Sequence, residues 1–285
     1  MRAKGTWLFM GAVVAVWIAV AGPGFPHGDA SAGPKPGATG REAVPNRVMT
    51  WNLCNPCKSG DADLAAEIAA SAPQVVGLQE SCTGQVERIR TLLRNRHGLD
   101  YHVEYGTVLH RWGRCGGAPW KPGGYGEAIL SAAPMTDAVA VEYPDGGSED
   151  RGYMAVTTTV GGRELRVFNT HLAERRQESV RAKQVDVLAK VVARYDRAVV
   201  MGDFNAVPYA AELDAMWPLV KDADPRCGPS AGGACEPTTD WHSRFDYVFL
   251  RGVGASGHRV RASAHSDHHM LYADLTPAGG AQRRR

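Results

Sequence analysis

The stretch Val199-Val200-Met201-Gly202-Asp203-Phe204-Asn205 joins a short apolar run to an acid and an amide. Such a run predicts a buried β-strand, and Gly202 interrupts it just before the polar residues. Because side chains alternate along an extended chain, we expect Asp203 and Asn205 to point to one side, at the mouth of a sheet. Taken alone, the same residues are also typical of a polar turn after a strand.

The N-terminal segment has the pattern of a secretory signal. Arg2 and Lys4 precede an apolar stretch at residues 7–21, and Ala30-Ser31-Ala32 fits a small-residue cleavage site. We predict a signal peptide at residues 1–32, cut near Ala32, and a secreted, extracellular protein. An uncleaved membrane anchor is the weaker alternative, because the apolar stretch is shorter than the roughly 20 residues that span a bilayer.

The composition is that of a globular protein with a sizeable core. Of the 285 residues, 44% are hydrophobic and 22% are charged. Without Arg2, Lys4 and Asp29, the 32 basic and 30 acidic residues become 30 and 29, a net charge near +1. Net charge therefore gives no evidence for a polyanionic partner.

All six cysteines follow the predicted signal peptide, and an even number suits an exported, oxidised protein with three disulfides. Cys227 and Cys235 bracket a short loop, and we expect them to pair with each other. The other four could pair in three ways; a zinc site is the alternative, although oxidation competes for thiols outside the cell. These four are Cys54, Cys57, Cys82 and Cys115.

The remaining chain reads as a flexible lead-in at residues 33–46, a single domain at 47–276 and a tail at 277–285. Apolar spacing predicts helices around Leu64 and Ile68, over 85–96 and over 174–194. A long loop is predicted over 110–124. The predicted strands cover residues 48–53, 75–78, 101–109, 127–131, 154–159, 165–169, 198–201, 244–250, 258–262 and 270–275.

Polar side chains stand where these predicted strands end. Each one alone has a structural explanation, such as a turn, a hydrogen-bonded strand end or a surface ion pair. Together they would lie along one edge of a sheet sandwich. Eight polar residues at strand ends are too many for coincidence. The eight are Asn52, Glu80, His171, Asp203, Asn205, Asp246, Asp267 and His268.

The residue types indicate metal-assisted hydrolysis of a phosphate ester. Carboxylates and amides are hard oxygen donors, which favour Mg²⁺, with Mn²⁺ or Ca²⁺ as alternatives, and Asn52 and Glu80 are the best candidate ligands. A buried Asp203 suits proton abstraction from water, and an acid-paired His268 suits a general acid. Acyl transfer fits these residue types less well.

Six motifs resemble, in the same order, those of the endonuclease/exonuclease/phosphatase superfamily, the deoxyribonuclease I-like fold. The resemblance spans residues 47–275 and implies an α+β fold: a four-layer α/β/β/α sandwich of two mainly antiparallel sheets flanked by helices. The motifs are Trp51-Asn52, Gln79-Glu80, Asn169-Thr170-His171, Gly202-Asp203-Phe204-Asn205, Phe245-Asp246-Tyr247-Val248 and Ser266-Asp267-His268.

The resemblance also implies a role for each residue. Asn52 and Glu80 would bind the metal. His171 and His268 would contact or protonate the scissile phosphate. The remaining roles are that Asp203 and Asn205 orient the nucleophile and phosphate, that Asp246 assists metal or water, and that Asp267 orients a histidine.

Tyr125-Gly126-Glu127 looks like the deoxyribonuclease I segment in which a Glu pairs with the histidine matched by His171, which adds Glu127 and Tyr125 to the site. Arg151 resembles the family's phosphate-contacting arginine, although a surface arginine in a turn looks the same. One departure is Cys82, which stands where deoxyribonuclease I has an arginine for minor-groove contact. The resemblance therefore does not extend to duplex contact of that kind.

The shared site fixes the reaction and not the substrate. We expect a nuclease acting on DNA, RNA or both, since Arg111, Arg114, Lys121, Trp112 and Trp120 could supply cations and stacking surfaces. The alternatives are a sphingomyelinase-like phospholipase C with a phospholipid substrate, an inositol-phosphate phosphatase, and a catalytically silent binding protein. We expect a monomer without a stable protein partner.

Overall fold

The predicted apolar strands form two six-stranded sheets. A computed structural model describes residues 41–55, 57, 59–174, 176–230 and 234–277. The predicted signal peptide, most of the lead-in and nearly all of the tail lie outside these ranges. Within the ranges, no helix has the length and apolar character needed to cross a membrane.

The first sheet contains both ends of the described chain. Its β1 and β2 run parallel, and its other neighbours are antiparallel. In spatial order the strands are β13 (Ala255–Arg261), β14 (Met270–Leu275), β1 (Val44–Asn52), β2 (Pro73–Cys82), β6 (Gly124–Ser131) and β3 (His102–His110).

The second sheet carries the stretch around Asp203 near its centre. Only β9 and β10 run parallel within it, so the prediction of mainly antiparallel sheets is confirmed. In spatial order the strands are β11 (Lys221–Asp222), β12 (Asp246–Arg251), β10 (Ala198–Asp203), β9 (Arg163–His171), β8 (Gly152–Val160) and β7 (Met135–Glu142).

Helices cover the outer faces. α1 (Asp61–Ser71) and α2 (Thr83–His97) bury apolar side chains in one cluster with the first sheet, and α4 (Glu178–Val192) does so with the second. A third cluster, including Val48, Val156 and Val199, fills the space between the sheets. Three apolar layers separate four structural layers, so the predicted α/β/β/α sandwich is confirmed.

Several boundaries differ from those predicted. β1 begins at Val44, inside the predicted lead-in, and α4 begins at Glu178. β7 was not predicted, because it is an edge strand whose side chains are almost all exposed, so it lacks the apolar run of a buried strand. The predicted loop at 110–124 contains the one-turn helix α3 (Trp112–Cys115) and a small hairpin, β4 (Gly117–Ala118) and β5 (Lys121–Pro122).

One buried amide joins the sheets just below the polar edge. Nδ2 of Asn169 donates to the carbonyls of Leu78 (2.9 Å) and Ala128 (3.0 Å), and its Oδ1 accepts from Nε2 of Gln79 at 2.6 Å. Gly77 leaves room for it, because a Cβ there would lie 2.8 Å from Oδ1 of Asn169. These bonds hold the two sheets in one relative position beneath the site.

Candidate active site

Strand register brings the predicted residues together. In the second sheet Asp203 is the register partner of His171 on one side and of Asp246 on the other. The first sheet contributes Asn52 and Glu80 from its two parallel strands. The strand ends of both sheets thus meet at one polar edge, as the sequence predicts.

Asp203 lies at the centre of this edge. Nδ2 of Asn52 donates to its Oδ2 at 3.0 Å, while Nε2 of His171 and Nε2 of His268 lie 3.4 and 3.7 Å from the same oxygen. Burial raises the pKa of the Asp203 carboxyl, and the neighbouring charge of Asp246 raises it further against the opposing effect of His268. Asp203 is therefore more basic than a surface carboxylate.

His268 is held as a cation. Its Nδ1 lies 2.9 Å from Oδ2 of Asp246. Burial alone would lower the pKa of His268, but the carboxylates of Asp246 and Asp203 outweigh it and raise the pKa to about 10. The backbone N–H of His268 donates to Oγ of Ser266, and that hydroxyl donates to the carbonyl of Asn52. An imidazolium is thus fixed between two acids.

His171 has the opposite electrostatic character. Burial, followed by the positive charges of Arg151 and His268, holds the pKa of its imidazole well below the usual value. Its Nε2 lies 3.2 Å from Nδ2 of Asn205, which also donates to the carbonyl of Leu172. The site therefore contains one neutral and one charged histidine.

A β-bulge in β2 orients the side chain of Glu80 towards the site. The pairing of β2 with β6 shifts register between Leu78 and Ser81, and Glu80 has a positive φ of 51°. Its Oε1 accepts from Nδ2 of Asn52 at 3.2 Å, and its Oε2 accepts from the backbone N–H of Asn55 at 3.2 Å. The bulge explains how a residue next to the inward-facing Gln79 also reaches the site.

Asn205 reaches the site by a different route from the predicted one. β10 ends at Asp203, so strand alternation does not orient Asn205. Its N–H instead donates to Oδ1 of Asp203 at 2.9 Å, in a turn with a φ of 50° at Asn205. Asn205 therefore lies in a turn and also contacts Asp203 and His171 at the polar edge.

The donor set fits a divalent cation. Carboxylate oxygens of Asp203 and Asp246 lie within 4.8 Å of each other in a buried position, and Oδ1 of Asp246 is buried without a hydrogen-bond partner in the described ranges. The carboxylates here, Glu80 included, outnumber the one imidazolium. A cation with oxygen ligands would balance this excess negative charge.

Arg151 belongs to a cluster that contains two residues outside the predicted site set. Its Nη1 lies 2.5 Å from Oε1 of Glu149, and Glu149 also pairs with Arg114. The guanidinium of Arg114 lies 4.2 Å from the ring centroid of the buried Tyr125. Arg111 is exposed, and its side chain makes no hydrogen bond or ion pair to the described residues. Tyr125 therefore supports an arginine, while Arg111 lies outside the cluster.

Glu127 does not make the contact that the resemblance implies. It is buried, but no hydrogen bond joins it to His171 within the described ranges, and its Oε2 has no partner there. Burial raises the pKa of Glu127 to about 8, against the opposing effect of Arg151. The expected Glu127 to His171 hydrogen bond is therefore absent from the described ranges, and the buried carboxyl favours its neutral form.

Asp267 also differs from its predicted role. The imidazole of His268 donates its hydrogen bond to Asp246, whereas Asp267 acts on His268 as a nearby charge. Asp267 instead lies beside the disulfide between Cys54 and Cys57. Adjacency to His268 in the sequence therefore does not place the carboxylate of Asp267 against the imidazole.

The cysteines form disulfides. Cys227 pairs with Cys235 as predicted, and the alternatives left open for the other four resolve into Cys54–Cys57 and Cys82–Cys115. No cysteine is free, so the zinc alternative is wrong. The Cys82–Cys115 bond connects α3, which contains Arg114, to β2. Its β2 cysteine, Cys82, lies two residues after Glu80.

Sequence analysis missed several supporting residues. Oγ1 of Thr238 accepts from the backbone N–H groups of Phe245 and Asp246, which fixes the start of β12. The exposed ring of Trp241 packs against His268 with a centroid distance of 5.4 Å. Glu149 lies two residues before Arg151. This short spacing is the sequence feature that could have indicated their ion pair.

Residues 49–268 match the model of the Endonuclease/Exonuclease/phosphatase family. The chain belongs to this family. Its members are phosphoric ester hydrolases, and hydrolysis of phosphoric esters is therefore the reaction class of this endonuclease/exonuclease/phosphatase chain. No curated protein matches it.

Two solved structures show the same fold. An endonuclease/exonuclease/phosphatase from Beutenbergia cavernae is 24% identical, with a TM-score of 0.65 over 82% of this chain and 72% of that one. TDP2 from D. rerio, described as complexed with a single-strand DNA product, is 20% identical, with a TM-score of 0.63 over 81% and 98%.

Proposed function

We propose that this chain is a secreted, divalent-metal-dependent phosphodiesterase that hydrolyses nucleic acid. The observation that carries the proposal is the convergence of Asn52, His171 and His268 on one oxygen of Asp203. A buried basic carboxylate beside an imidazolium offers a proton acceptor and a proton donor within one site. Hydrolysis of a phosphodiester needs both.

Asn52 and Glu80 would hold the cation, with Mg²⁺ as the first choice and Mn²⁺ or Ca²⁺ as alternatives. When bound, it neutralises charge on the phosphate and on the departing oxygen. Asp203 takes a proton from the attacking water. Asn205 orients that carboxylate through its backbone N–H and holds a phosphate oxygen through its amide.

The two histidines have different roles at the phosphate. The cationic His268 donates a hydrogen bond or a proton to an oxygen of the phosphate, and Asp246 keeps it charged. The neutral His171 holds the phosphate by hydrogen bonding. Arg151 contributes a fixed positive charge, since Glu149 orients its guanidinium.

Nucleic acid is the substrate class that the surroundings favour. Residues 111–123 contain Arg111, Arg114 and Lys121 and no acid, which suits a polyanion. The D. rerio TDP2 structure holds a single-strand DNA product on the same fold. Export to an oxidising compartment agrees with the three disulfides, and a monomer is the expected form.

The test is an assay of purified protein with Mg²⁺, with Ca²⁺ and with EDTA, against plasmid DNA, RNA, sphingomyelin and inositol phosphates. We expect cleavage of DNA or RNA with a divalent cation and none with EDTA. Intact plasmid and RNA together with hydrolysed sphingomyelin would contradict the nuclease proposal. Activity that persists in EDTA would contradict metal dependence.

A further inference from the structure

Two exposed tryptophans stand on one short element beside the site. Trp112 and Trp120 are 56% and 88% exposed, the latter the largest exposed fraction of any large apolar side chain in the described ranges. Both belong to residues 111–123, the segment of α3, β4 and β5, here called the tryptophan hairpin. Large exposed aromatic side chains on an ordered element indicate a contact surface.

The tryptophan hairpin is fixed in place. Cys115 is bonded to Cys82, and the N–H of Arg111 donates to the carbonyl of Gly123 at 3.2 Å, which closes the segment at its base. Gly117 is required for the tight fold, because a Cβ there would lie 2.5 Å from the carbonyl oxygen of Lys121. The tryptophans are therefore presented on a braced element.

A groove of about 590 Å³ lies beside this segment. At one end is Asn55, whose N–H donates to Glu80. The other end reaches Arg114 and Gly117. Arg114 and Arg151 both pair with Glu149, and their side chains remain 27% and 10% exposed. The charged residues that line the groove are Arg88, Arg114 and Asp61, so cations outnumber acids there.

We propose that the tryptophan hairpin binds single-stranded nucleic acid, with Trp112 and Trp120 stacking on bases and Arg114 holding a phosphate next to the scissile one. This inference rests on the proposed function and names its substrate form. Indole rings stack on unpaired bases, whose faces a duplex hides.

A membrane surface fits this element less well. Apart from the two tryptophans, the hairpin contains no Leu, Ile, Val, Phe or Met. Its cations lie on the same short segment as the indoles, and Arg114 is turned towards Glu149 and Tyr125 at the site. Alternating cations and aromatic rings match a strand of phosphates and bases.

The probe is a fluorescent phosphorothioate DNA strand of about 12 nucleotides, tested in Mg²⁺ by anisotropy beside its duplex. We expect Trp112→Ala and Trp120→Ala each to weaken single-strand binding by roughly 5-fold to 100-fold. Trp112→Phe and Trp120→Phe keep an aromatic face and should stay close to the wild type. Hydrolysis of bis(p-nitrophenyl) phosphate, too small to reach the hairpin, should be unchanged in all four.

Wild-type single-strand affinity in both alanine variants would overturn the proposal. So would an equal loss of duplex binding, or a loss confined to sphingomyelin-containing vesicles. If the wild type cleaves no nucleic acid while the alanine variants still lose strand binding, the proposed function fails and the hairpin inference stands. If the wild type cleaves nucleic acid and the alanine variants bind single strands as tightly as the wild type, the proposed function stands and the hairpin inference fails.

Discussion

Nδ1 of His268 lies 2.9 Å from Oδ2 of Asp246, and Nε2 of the same ring lies 3.7 Å from Asp203. One imidazole therefore spans two buried carboxylates, which keep it charged. Asp246→Asn should lower the pKa of His268, measured by NMR titration, and reduce kcat on the order of 10². The matched control is Asp240→Asn, which removes the partner of the neighbouring His269 at 3.0 Å on the surface. Equal effects in both variants would contradict the role of Asp246.

His171→Ala and His268→Ala should each lower turnover by on the order of 10² or more, because each removes a group at the scissile phosphate. The exposed His102 on β3 provides the control, and His102→Ala should keep the wild-type rate. Steady-state kinetics on an oligonucleotide measures all three. Wild-type rates in both site variants would rule out the assigned roles.

Glu127 should make stability depend on pH. Its pKa is about 8 in the folded protein and near the ordinary value of 4.5 when unfolded, so the folded state binds the extra proton. The stabilisation is complete below about pH 4.5 and is lost as the pH rises through 8. Glu127→Gln removes this loss. Its free energy of unfolding should therefore exceed that of the wild type, by an amount that grows to on the order of 4 kcal/mol at high pH. Urea unfolding at pH 5 and pH 9 measures it, and parallel pH profiles would contradict it.

Asn169 should be required for stability. Asn169→Ala leaves the buried carbonyls of Leu78 and Ala128 without their donor, which costs on the order of 3 kcal/mol. Asn95→Ala on the exposed face of α2 should change the free energy of unfolding by less than about 0.5 kcal/mol. Chemical denaturation compares the two, and similar small losses would show that the sheets do not depend on this amide.

Glu80→Gln should weaken binding of Mg²⁺ by about 10-fold or more, since it removes the negative charge of the proposed ligand. Glu164→Gln, at an exposed position near the start of β9, removes the same charge away from the site and should bind like the wild type. Isothermal titration with Mg²⁺ or Mn²⁺ reports affinity independently of turnover. Unchanged affinity in Glu80→Gln would exclude it as a ligand.

The fold was predictable because its strands are apolar runs with polar ends. Val199 to Met201 are fully buried, as their pattern predicts, and both parallel strand pairs deliver polar residues to one edge. β7 escaped prediction because an exposed edge strand has no apolar pattern. The ordered motifs likewise predicted which residues meet at Asp203.

The partners of those residues were less predictable, since hydrogen bonds between distant segments leave no local spacing. Asp246 rather than Asp267 bonds the imidazole of His268, and nothing in the chain order distinguishes the two. Arg114 joins the site through a disulfide and an ion pair with Glu149, 35 residues away in sequence. Such contacts follow from topology and not from periodicity.

Glu80 and Asn205 both adopt left-handed backbone conformations, with φ of 51° and 50°. A side chain in this region costs roughly 1–2 kcal/mol relative to glycine, and somewhat less for asparagine. The residues assigned to ligand and phosphate binding are therefore among those that stability alone would exchange for glycine. Laboratory evolution of this chain under selection for heat resistance alone will favour replacement of these residues and give a more stable, inactive protein. Every round must therefore also screen for hydrolysis.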